Sequence, residues 1–127
     1  MPSMKILLIA GGWSSEREVS LTGARGMQEA LVRRGHAVTF FDLLEHFDDL
    51  LETARQHDFA LINLHGSPGE DGLVQAMLEK ADCPYQGSGP SGSFLALNKA
   101  AAKQIFRMAG LPTADWEFLP VRPAAGW

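Results

Sequence analysis

The chain has 127 residues, a formal net charge of −4, 46% hydrophobic and 20% charged residues, and one cysteine, Cys83; that suits a single domain with a real core and excludes a disordered chain. Its lysines and arginines are scattered, with no run longer than Arg33-Arg34, so it carries no electrostatic footprint for nucleic acid. No apolar run approaches the roughly 20 residues of a membrane-spanning helix, the first is too short for a secretion signal, and a lone cysteine forms neither an internal disulfide nor a metal cluster. A cytoplasmic location is the expectation.

Apolar runs at Lys5–Ala10, Ala37–Phe41 and Phe59–Leu64 are rich in Ile, Leu, Val and Phe and read as parallel strands buried on both faces. Between the first two, Ala24, Met27, Ala30 and Leu31 make a helical stripe that begins near Glu16, with Ser15 and Glu18 in capping-box form and Gly35 as a left-handed cap. A second helix is predicted from Leu44 to His57, with Phe47, Leu50, Leu51 and Ala54 inward, and a third from Asp71 to Ala81. Cys83-Pro84-Tyr85-Gln86-Gly87 reads as an edge strand, since proline is tolerated there. A last helix should run from about Ser91 to Ala109 and stop at Gly110-Leu111-Pro112. The tail Thr113–Trp127 holds an expected strand at Trp116–Leu119 with no closing helix, the pattern of a chain that continues. Alternating strand and helix predicts an α/β fold with a three-layer, doubly wound, mostly parallel sheet of about four strands, Rossmann-like and with right-handed crossovers.

Three constellations carry chemistry. Gly11-Gly12-Trp13-Ser14-Ser15-Glu16-Arg17-Glu18-Val19-Ser20 follows the first strand, where open α/β sheets bind ligands. A turn needs one glycine and a cap, not Glu16, Arg17 and Glu18 in consecutive positions, so a small cationic or zwitterionic ligand is the functional reading. The structural alternative makes the two glutamates partners of the helix dipole and leaves Arg17 solvated. The pattern is not G-x-G-x-x-G, so no dinucleotide fingerprint is present. Asn63-Leu64-His65-Gly66-Ser67-Pro68-Gly69-Glu70-Asp71-Gly72 follows the third strand. There His65 is either a structural strand-end residue or a titratable group facing Glu16, while Glu70 and Asp71 read as helix N-terminal residues. Gly87–Gly92 opens the last helix as an anion site would, but it lacks the P-loop lysine. Lys99 and Lys103 share one face of that helix, Lys103 reading as solvated. Cys83 reads as a small buried filler. Trp13 reads as exposed and has no evident role.

Taken together, Gly12–Ser20, His65–Gly72, Pro84–Gly89, Asn98-Lys99, Lys103 and Gly110–Thr113 resemble D-alanine–D-alanine ligase, in order and in spacing, over nearly the whole chain. The resemblance implies a three-domain ATP-grasp enzyme that joins two D-alanines through an acyl phosphate for peptidoglycan precursors. Residues 1–112 would be its N-terminal, pre-ATP-grasp substrate domain and 113–127 the start of the central domain. It further implies that Glu16 holds the ammonium of the first D-alanine, at about 1.5–3 kcal/mol for a charged hydrogen bond. Val19 would line the methyl pocket, with Ser20 also among the substrate contacts. His65 would orient the carboxylate, making Glu16 and His65 the catalytic pair, and Lys99 would reach the phosphates of ATP. The ligands of Mg2+ are expected outside this chain, which alone would not catalyse ligation, and a homodimer is consistent with the family. Asn98 departs from the acidic residue the family often carries before the lysine.

Other readings are a D-alanine–D-lactate or D-serine variant, a non-catalytic homologue, and a flavodoxin-like or receiver module. A receiver needs an acidic pair after the first strand and an aspartate after the third, where this chain has Gly11-Gly12 and Asn63-Leu64-His65. Intact Glu16 and His65 argue against a non-catalytic homologue.

Overall fold

In the computed structural model, which describes residues 2–119, strands β1 (Lys5–Ala10), β2 (Ala37–Asp42) and β3 (Phe59–Asn63) form a parallel sheet in the order β2-β1-β3. The most uniformly apolar run takes the centre: from Ile6 to Ala10 every residue of β1 is buried. Successive side chains of a strand point to opposite faces, and β1 divides its residues accordingly. Leu8 and Ala10 pack with Ala24 of α1 (Arg17–Arg33). Leu7 and Ile9 pack on the other face with Leu50 and Ala54 of α3 (Leu50–Ala54) and Val74 and Leu78 of α4 (Leu73–Lys80). This is the expected three-layer arrangement.

Four local expectations need correction. The fourth strand is reduced to one parallel bridge, Ala60 with Tyr85. Pro84 brings no N–H to a ladder, and the Gln86 side chain takes the next rung: its Oε1 accepts from Ile62 N at 2.9 Å and its Nε2 donates to Ile62 O at 2.6 Å. The helix expected over 44–57 is broken into α2 (Leu43–His46), a 3-10 turn (Phe47–Asp49) and α3. His46 leaves helical geometry at φ −128°, and the Asp48-Asp49 pair that follows is a weak helix former. The last helix is likewise two, α5 (Pro90–Leu97) and α6 (Lys99–Met108). Asn98 separates them because its Oδ1 accepts from Ala101 N at 3.1 Å, an asparagine outbidding the helix for a backbone donor. Residues 111–119 form no regular element, so the strand expected at Trp116–Leu119 is absent, and no strand among the described residues pairs with that segment. Instead Lys103, expected to be solvated, ties this segment down through Thr113 Oγ1 and Ala114 O, both at 3.1 Å. Pro120–Trp127 lie outside the described residues. No helix of the described residues is long and apolar enough to cross a membrane.

Candidate functional site

Strand register builds the site. Ala10 pairs with Asp42 on one side and with Asn63 on the other, so the three strands end in one row. The chain leaves β1 toward β2 and then crosses to β3, which makes the gap between the β1 and β3 loops the switch point of the sheet. Both conspicuous loops lie there. Each is anchored by the row of strand ends. Ser20, fully buried, accepts from Gly11 N at 2.8 Å and donates to Asn63 O, while Asn63 Nδ2 donates to Ser20 O at 2.7 Å. Arg17 forks onto the Asp42 carboxylate at 2.7 and 2.6 Å and reaches Gly12 O at 3.3 Å. The guanidinium hydrogen bond holds the Asp42 carboxyl below its ordinary range, against an opposing push from burial, and the same bond raises Arg17. Gly11, at φ +80°, must be glycine: a Cβ there would collide with Arg17 Nη1 and lie 2.7 Å from Asp42 Oδ1.

The β3 loop closes on itself. Gly69 N and Glu70 N donate to Gly66 O at 2.9 and 2.8 Å, and Gly66 N donates to Glu70 Oε2 at 2.9 Å. Gln75 of α4, itself buried, donates to Gly69 O at 2.6 Å, and its Oε1 has no partner among the described residues. Asp71 accepts from the Ser67 hydroxyl and, at 3.0 Å, from Leu73 N, so it serves the start of α4 as expected, whereas Glu70 turns back to the loop. Gly72, at φ +93°, lets Pro90 approach: a Cβ would stand 3.0 Å from the Pro90 carbonyl carbon. The two loops touch. The position a Gly66 Cβ would take is 3.4 Å from Ser14 Cβ, and that of Gly12 is 3.4 Å from Leu64 Cδ2.

Against this frame the expected site residues separate. Glu16 is exposed at the N-terminal end of α1, its carboxylate without a hydrogen bond or ion pair among the described residues. No Ser15–Glu18 capping box forms; Ser14 Oγ accepts from Glu16 N at 3.2 Å instead. His65 is half-buried beside the same edge, and Val19, 65% exposed, borders a cleft of about 420 Å³ with Glu18, Thr22 and Gly23. Ser20, expected at the substrate, is enclosed with both lone pair and proton committed, and so belongs to the frame. Lys99 stands apart, on a groove of about 360 Å³ with Glu70, Gln75, Ser88 and Ser93. It is the first residue of α6, where the dipole disfavours a cation by about 0.3–1 kcal/mol, and no partner holds it among the described residues. Those residues include no cluster of three His, Cys, Asp or Glu that could hold a metal. Trp13 meets Phe47 edge-on at 5.4 Å. Cys83 is buried, and burial pushes its thiol up. Sequence reasoning missed the Arg17–Asp42 fork, whose signal is present: parallel strands of equal length bring the last residue of β2 level with the turn that carries Arg17.

The chain is 75% identical over 124 residues to the D-alanine–D-alanine ligase of Desulfovibrio desulfuricans, covering 98% of this chain and 40% of the relative. It is a homologue of the D-alanine–D-alanine ligases. The ligase of Nitratidesulfovibrio vulgaris is 69% identical over 124 residues, 98% of this chain and 41% of that protein. Among solved structures, the D-alanine–D-alanine ligase of Bacillus anthracis superposes with a TM-score of 0.81 at 40% identity over 91% of this chain and 38% of its own. The same enzyme complexed with ATP gives 0.83 at 39% identity, over 92% and 38%. No family model matches the chain. The chain thus spans about 40% of the length of the ligases it matches, and its fold is that of their N-terminal domain.

Proposed function

We propose that this chain is the first-substrate domain of an ATP-dependent D-alanine–D-alanine ligase acting in the cytoplasm, with the central domain beginning near Thr113. The reading is supported by the pair of loops packed edge to edge at the switch point, one ending in Glu16, whose carboxylate is unpaired among the described residues, and the other carrying His65. In this reading Glu16 takes the ammonium of the first D-alanine, Val19 borders its methyl group, and His65 orients its carboxylate. Ser20 serves by fixing Gly11 and Asn63. Glu16 is exposed in this chain, so a water-excluding wall must come from elsewhere for its ammonium bond to reach the upper end of about 1.5–3 kcal/mol.

ATP, when bound, supplies the phosphoryl group that activates a carboxylate for attack by an amine. The residues here fit one side of it: Lys99 is unpartnered at the start of α6, where backbone N–H groups also favour an anion. Mg2+ would be held by residues other than those described.

The test joins this chain to the remaining three-fifths of the Desulfovibrio desulfuricans relative and follows ADP release. D-alanine-dependent release is expected, and Glu16→Gln should raise the KM for the first D-alanine roughly ten- to a hundredfold while the KM for ATP stays put. Absence of D-alanine-dependent turnover, or equal loss toward both substrates, would sink the reading.

A further inference from the structure

Glu16 carries the free carboxylate of the site, and the very next residue is a cation. Short of some restraint, a guanidinium one residue away would compete with a ligand ammonium for the same anion, at the millimolar-scale effective concentration of a short tether. The restraint is built. Both terminal nitrogens of Arg17 are spent on Asp42, at 2.7 and 2.6 Å, and one also reaches Gly12 O. The pair is largely buried, with 23% of the Arg17 side chain and 14% of the Asp42 side chain exposed. It fills the space that a side chain at position 11 would need. Glu18 and Glu45 also lie within the field of Arg17, but neither bonds to it.

We propose that Asp42 sets the charge preference of the amino-acid site by holding Arg17 away from Glu16, so that Glu16 remains the uncompensated anion a ligand ammonium meets. This rests on the reading of Glu16 given above. Arg17 and Asp42 touch no ligand; they are positioning residues. The bidentate fork is directional and strong where partly shielded from water, and it is anchored in the sheet, since Asp42 ends β2 in the same row as Ala10. Asp42 also accepts from Leu44 N at 3.1 Å at the start of α2, a bond that an asparagine oxygen can keep.

Three variants in the joined enzyme separate this role from a brace. Asp42→Asn keeps size and the oxygen that caps Leu44, but it removes the charge and the second arm of the fork and so loosens the hold on Arg17. The KM for the first D-alanine should rise about tenfold, a shift of about 1.4 kcal/mol, with the KM for ATP unchanged. Adding Arg17→Met to Asp42→Asn removes the competing cation and should bring the D-alanine KM back to within about threefold of the parent, although the fork is still missing. A double variant no better than Asp42→Asn alone would overturn the proposal, because a structural brace is lost equally in both. Thermal melts of the two variants check that each is folded. With Glu16→Gln as background, Asp42→Asn should have no further effect on D-alanine. If Glu16→Gln itself leaves the D-alanine KM unchanged, the reading of Glu16 fails; if it raises that KM while Asp42→Asn does not, only the role of Asp42 fails.

Discussion

The sheet half of the chain and its last two helices are built to different standards. Around β1, Leu7, Leu8, Ile9 and Ala10 are completely enclosed, and α1, α3 and α4 each contribute buried residues. Neither α5 nor α6 has a buried residue, and Phe94, Leu95, Leu97, Ile105, Phe106 and Met108 all stand exposed. Both halves are apolar in sequence; only one is packed. Apolar side chains stabilise by leaving water, so the stability of this chain resides in the sheet half, and the site residues divide along the same line. Glu16, Val19 and His65 are held by the packed half, Lys99 by the unpacked one. The amino-acid side of the site is therefore preorganised in this chain in a way that the phosphate side is not.

Matched substitutions would break that comparison most directly. Leu8→Ala leaves a void between the sheet and α1 and should cost about 2–5 kcal/mol. Phe106→Ser, removing a larger apolar side chain from α6, should stay within about 0.5 kcal/mol, the range of surface changes. Urea unfolding of the chain measures both. Comparable losses would mean that α6 is packed after all.

Next in size is Ser20→Ala. The hydroxyl lost is the one that joins Gly11 to Asn63, and the alanine strands a buried N–H. The expected cost is about 1–3 kcal/mol in the same urea experiment. A neutral result would mean that the turn is held by Arg17–Asp42 alone.

The packed half was also the legible one. Short runs of Ile, Leu, Val and Phe bounded by turn signals read as strands, and β1, β2 and β3 stand where they were expected, with the site loops at their ends; only β1 is buried on both faces, since Ala37 and Thr39 of β2 are exposed. Ser20 is a ligand contact only by resemblance; in the structure its hydroxyl meets Asn63, 43 residues away, through strand register. The structural alternative, which leaves Arg17 solvated, fails for the same reason: its partner lies 25 residues on. In the unpacked half the continuous apolar positions from Phe94 to Met108 concealed the break at Asn98, because hydrophobic periodicity says nothing of a side chain that competes for the backbone. Family resemblance singles out Glu16, Val19, His65 and Lys99 as candidates, but it says nothing about what holds them.

The smallest effect expected is one of pH, and it sharpens the comparison because the groups concerned belong to the packed half. The folded-state pKa of Asp42 lies below its unfolded value of about 3.9, chiefly through the guanidinium bond of Arg17. A carboxyl shifted that way adds stability that is fully present above the unfolded pKa and disappears as pH falls through the folded one. Stability from this pair should therefore be flat from neutrality to about pH 5, and it should decline below about pH 4 as protonation of Asp42 opens the fork. Glu18 and Glu45 also lie within the field of Arg17. Asp42→Asn isolates the term. In urea unfolding at stepped pH, the difference in stability between parent and Asp42→Asn should shrink toward zero as pH drops through this window. A difference that stays constant down to pH 2 would show that the Arg17–Asp42 fork contributes through shape and packing, without its charge.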